Sequence, residues 1–63
     1  MKQWTPAQIK RFRLSRRQSQ PAFAASVGVY WLTVSKWERR IQEPSLEHKK
    51  ALDDLEIVTK ATA

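Results

Sequence analysis

Sixty-three residues, a net charge of +6 and no cysteine bound what this chain can be. The length allows one domain, marginally stable alone and without room for a catalytic cleft. Disulfides and thiolate metal sites are excluded, the single histidine His48 cannot build a metal centre unaided, and no apolar run reaches the length of a membrane span or signal peptide.

With one glycine, no β-type alternation and helix formers throughout, the pattern predicts an all-α fold. No repeat, low-complexity block or linker divides it. The ordered core is expected over about 5–58, with Met1–Gln3 and Thr59–Ala63 frayed.

Thr5-Pro6-Ala7-Gln8 is a capping box: Thr5 caps, Pro6 takes the first helical position and Gln8 reaches back. Trp4 and Ile9 are placed for the hydrophobic staple, so Trp4 packs rather than reads a partner. This first helix runs to about Arg16, with Ile9, Phe12 and Arg13 on its inner side.

Ser19 is the next cap, and Gln20-Pro21 open a second helix whose inner face is Phe23, Ala24 and Val27. Gly28 ends it, where a left-handed residue is needed. The third helix spans roughly Trp31–Arg40. Helical spacing sets Tyr30, Val34, Trp37 and Ile41 on one face, with Glu38 at its edge. Leu32, Ser35, Lys36 and Arg39 fall on the opposite face, and Trp31 and Thr33 on the flanks.

Pro44 breaks the chain. Ser45 caps a fourth helix, with Glu47 suited to its first turn. Leu46, Ala51, Leu52 and Leu55 form its apolar stripe, and Glu47 and His48 read as a solvent-facing pair. Ile57 and Val58 are the remnant that a truncated fifth helix would have, since a full one does not fit. The expectation is a compact four-helix domain.

Charge is unevenly placed along these elements. Residues 1–37 hold seven bases and no acid, whereas residues 38–63 hold five bases and six acids. A one-sided basic field suits a polyanion, most commonly nucleic acid. Bases that only keep a small protein soluble are the plainer alternative.

One constellation is more specific. Ser19-Gln20, Phe23-Ala24, Val27-Gly28-Val29, Thr33-Val34 and Trp37-Glu38-Arg39, followed by Pro44-Ser45, resemble the lambda-repressor-like helix-turn-helix family of the Cro/cI or XRE type. The resemblance covers about Ile9 to Leu55, with the helix-turn-helix unit over about 19–40. Arg13 and Glu38 match an arginine and an acid that the family typically pairs inside its fold. Four positions depart from the pattern. Gln18 stands for a leucine, Ala22 for a capping glutamate, Tyr30 for a small cap, and Arg40 for a glycine. The last extends the third helix toward Ile41 and Pro44.

The resemblance implies a cytoplasmic, nucleoid-associated regulator of prokaryotic or phage type. It binds double-stranded DNA with its third helix in the major groove, most commonly as a repressor. Base-facing positions would be Gln20, Trp31, Leu32, Ser35 and Lys36; phosphate positions would be Arg16, Arg17, Ser19, Thr33, Arg39 and Arg40. Leu32 suits a thymine methyl, and Lys36 a guanine or a phosphate. Trp31 lies along a sugar–phosphate strand, touches a thymine methyl, or folds back onto Tyr30. Arg13 and Glu38 are assigned to a structural ion pair. Leu55, Ile57 and Val58 are the candidate patch for a homodimer on a two-fold symmetric site.

No enzyme, cofactor, metal, small-molecule ligand or membrane is implied. The rival reading is a protein-interaction module on the same scaffold, docking through Tyr30, Trp31 and Leu32.

Overall fold

Local capping chemistry starts most of this fold. The computed structural model describes residues 3–62, with side chains to residue 61. In α1 (Pro6–Ser15), Thr5 Oγ1 accepts from the Gln8 amide at 3.2 Å, and Gln8 Oε1 accepts from the Thr5 amide at 3.3 Å. In α2 (Gln20–Val27), Ser19 Oγ accepts from the Ala22 amide. α3 (Trp31–Glu38) starts on Tyr30, whose side chain makes no capping bond. In α4 (Leu46–Thr62), Ser45 Oγ accepts from the His48 amide at 3.2 Å.

The helix ends are equally defined. Gly28 adopts φ +90° after α2, and the amide of Val29 returns to the Ala24 carbonyl. Arg17 (φ +55°) and Arg40 (φ +62°) do the same job after α1 and α3. The Gln18 amide reaches the Arg13 carbonyl and the Ile41 amide the Lys36 carbonyl, the long hydrogen bonds of a Schellman turn. An L-residue in this left-handed region costs about 1–2 kcal/mol that glycine avoids.

Four helices make one compact all-α domain, with no strand among the described residues. Its core joins Trp4, Ile9, Phe12, Phe23, Ala24, Val34, Trp37 and Leu52. Val27, Val29 and Leu55 pack around that cluster. Trp4 and Phe12 rings lie 5.4 Å apart, and Phe12 meets Phe23 edge-on at 5.7 Å. Trp4 also donates its indole N–H to Asp53 Oδ1 at 2.7 Å, tying the start of α1 to α4. Among the described residues, no helix is long and apolar enough to cross a membrane.

Several expectations are corrected. α3 ends at Glu38 rather than running on to Arg40 or Ile41, because Arg40 itself takes the left-handed turn. Tyr30 and Ile41, expected on the inner face, are exposed. Both lie outside the helix, where helical spacing no longer sets direction. Leu46 is exposed too: at about 100° per residue it is turned by about 120° from the buried Leu52. His48 is half-buried, its ring 5.6 Å from Trp37, and does not point freely to solvent beside Glu47. The chain is helical through Thr62, where fraying was expected. Met1, Lys2 and Ala63 lie outside the described residues.

Candidate nucleic-acid interface

α3 is held from below by apolar burial and by one ion pair. Val34 and Trp37 are fully buried against the other helices. Arg13 of α1 grips Glu38 with two parallel bonds, Nε to Oε2 at 2.7 Å and Nη2 to Oε1 at 3.0 Å. Its third nitrogen, Nη1, donates to the Gln18 carbonyl at 3.0 Å. One guanidinium therefore fixes the end of α1, the α1–α2 turn and the last residue of α3. The hydrogen bond to Glu38 raises the Arg13 pKa; burial opposes this and the Glu38 charge adds to it. Arg13's own part in this contribution is therefore present below the ordinary arginine range and is lost as the pH climbs through the raised value.

The opposite side of α3 presents a different surface. Trp31 is 42% exposed, its ring 5.9 Å from that of Tyr30, which is 66% exposed. Leu32, Thr33 and Lys36 are half-buried, and Arg39 is exposed. Arg39 Nε bends back to the Ser35 carbonyl at 3.4 Å.

Ser35 departs from expectation: it is buried, not outward. It lies about 100° around the helix from Val34, and α2 and α3 form the most extensive helix contact in the molecule. Gln20 is half-buried, and its amide donates to Glu38 Oε1 at 3.4 Å, so it extends the Arg13–Glu38 network.

The expected phosphate residues divide. Arg16 is drawn inward. Its Nη1 donates to Thr59 Oγ1, its Nε to Gln18 Oε1 at 2.8 Å, and its guanidinium lies 5.8 Å from the Phe12 ring centre. In this arrangement Arg16 joins α1 to α4. Arg17 is exposed on its left-handed turn, and Ser19 is exposed while capping α2. Arg40 lines a cleft of about 660 Å³ with Trp4, Trp37, Pro44, Leu46 and Lys49. Neither Trp31, Leu32 nor Lys36 lines it. The Trp37 indole N–H is buried and has no hydrogen-bond partner among the described residues.

Of the expected dimer residues, Ile57 and Val58 are exposed, whereas Leu55 packs against the core. Sequence reasoning misses the Trp4–Asp53 and Arg16–Thr59 bonds, which join residues more than forty positions apart. The polar Gln18, standing where an apolar residue is expected, is the one visible signal. It accepts from Arg16 and donates to Ser26 Oγ at 3.1 Å.

Comparison of the chain with models of known protein families, with characterised proteins and with solved structures gives no match.

Proposed function

We propose that this chain is a sequence-specific double-stranded DNA-binding transcriptional regulator, acting as a repressor with α3 in the major groove. One observation carries the reading: α3 is locked along one side by Val34, Trp37 and the Arg13–Glu38 pair, and offers Trp31, Leu32, Lys36 and Arg39 on the other. A supported rod with a free side is what groove insertion needs. The acid-free first 37 residues supply the field that draws it to phosphates. The helix order and the Gly28 turn between α2 and α3 support a lambda-repressor-like arrangement. Arg17 and Arg40, strained and cationic where glycine would be relaxed, fit a role in phosphate contact. Burial removes Ser35 from the base-reading set.

The domain pairs on a two-fold symmetric site through Ile57 and Val58, with the edge of Leu55. Sedimentation at micromolar concentration with and without bound duplex tests this, and monomer in both states contradicts it. The exposed Tyr30–Trp31 pair favours a second reading, an aromatic docking surface for a protein.

Selection of bound sequences from random duplex DNA separates the two. The regulator reading expects a recovered motif, binding that weakens with salt, and a motif relaxed at one position for Lys36→Ala. Failure to enrich any motif sinks it.

A further inference from the structure

We infer that the α3 surface reads C5-methyl groups of pyrimidines, so that a 5-methylcytosine can take the place of a thymine in its site; this rests on α3 entering the major groove. The inference comes from what the surface lacks. Ser35 is buried, and its carbonyl holds Arg39. Gln20 donates Nε2 to Glu38 Oε1, which draws its side chain toward the Arg13–Glu38 pair, and Thr33 is half-buried on the flank. Trp31, Leu32 and Lys36 remain on the central part of the face.

Lys36 is a donor only, with nothing to accept a proton. The two others offer apolar contact, and the Trp31 indole N–H is again only a donor. This central trio therefore has no side-chain acceptor for the exocyclic amino groups of adenine or cytosine. It matches guanine, whose N7 and O6 both accept, and the one apolar group in the major groove, a C5 methyl. Thymine carries that methyl. So does 5-methylcytosine, at the same place on the ring.

Spacing sharpens the target. Leu32 and Lys36 are four residues apart on one helix side, about 6 Å along the axis. Base pairs rise about 3.4 Å, so the methyl and the guanine sit within about two base pairs of each other. A thymine or methylated cytosine next to guanine satisfies both residues. Lys36 and Arg39 beside this apolar patch, on a chain of net charge +6, favour a polyanion as its occupant over a neutral protein surface.

The test compares duplexes differing by the methyl alone. Sequences are first selected from a random duplex library. Each recovered duplex is then remade with deoxyuridine for thymine. A second pair carries cytosine or 5-methylcytosine at the same position, opposite guanine. Binding is followed by fluorescence anisotropy. Removing a contacted methyl should weaken binding about fourfold in both pairs. Leu32→Ala should erase both differences, whereas Lys36→Ala should keep them while lowering overall affinity.

Equal binding within both pairs overturns the inference but leaves the regulator reading standing. Unchanged methyl preference in folded Leu32→Ala also overturns it. Absence of duplex binding overturns both. The base substitutions give their answer with the unmodified chain, whether or not the variants fold.

Discussion

The starts of the four helices are not alike. α1, α2 and α4 each begin on a hydroxyl that accepts a backbone amide, from Thr5, Ser19 and Ser45. α3 begins on Tyr30, which is 66% exposed and caps nothing. A serine there would satisfy a first-turn amide and add about 1 kcal/mol. The three capped helices add a local contribution to the burial of Ile9, Phe12, Phe23 and Leu52. α3 relies on its last turn, where Glu38 meets Arg13, and on the burial of Val34 and Trp37. At that bare start the Thr33 amide is held by the Tyr30 carbonyl at 2.9 Å instead of by a capping side chain.

The largest effect should come from cutting the anchor that replaces the missing cap. Glu38→Ala strands Arg13, whose side chain is only 12% exposed. About 3–5 kcal/mol should be lost, enough to leave much of so small a domain unfolded in a chemical denaturation experiment. Retention of wild-type stability would place the support of α3 elsewhere. Next, Ser19→Ala should cost about 1 kcal/mol by thermal unfolding. Because α2 and α3 pack together, DNA affinity should fall with it; a silent substitution would mean that Ser19 is replaced by water at no cost. Tyr30→Ser should move the other way, gaining about 0.5–1 kcal/mol while weakening duplex binding. A gain in both would show the tyrosine to be an incidental departure. A change of similar size is expected for Arg40→Gly. Relief of the left-handed strain, set against glycine's greater freedom in the unfolded chain, should yield about 0.5–1 kcal/mol. The same change should make the salt slope shallower by about 0.9 if Arg40 meets a phosphate. An unchanged slope would confine Arg40 to its turn.

Much of this contrast is legible in the amino-acid sequence. Hydroxyl caps act over three residues, and glycine or proline over one or two, so Thr5, Ser19, Gly28 and Ser45 announce their roles locally. Buried Trp37, Val34 and Leu52 follow from helical spacing. What escapes depends on where the helices come to lie. Spacing places Ser35 outward, but how much of α3 lies against α2 decides that. Tyr30 and Ile41 look inward only if the helix continues through them, and it does not. The hydrophobicity of Leu46 suggests a core residue, whereas its angle to Leu52 turns it to solvent. Arg16 looks like a free cation until α4 brings Thr59 to it. Of the candidate interface, α3 itself and its Trp31–Leu32–Lys36 surface are readable, whereas the internal ties of Gln20 and Arg16 are not.

The central claim is that the outer side of α3 is the surface that meets DNA. Amide NMR spectra recorded while sheared mixed-sequence duplex is added at low ionic strength test it most directly. The account predicts the largest shifts at Trp31, Leu32, Lys36 and Arg39, fading as salt is raised, with the core around Ile9 and Leu52 undisturbed. Spectra that stay still at those residues, or move instead around the cleft by Trp4 and Pro44, would contradict it.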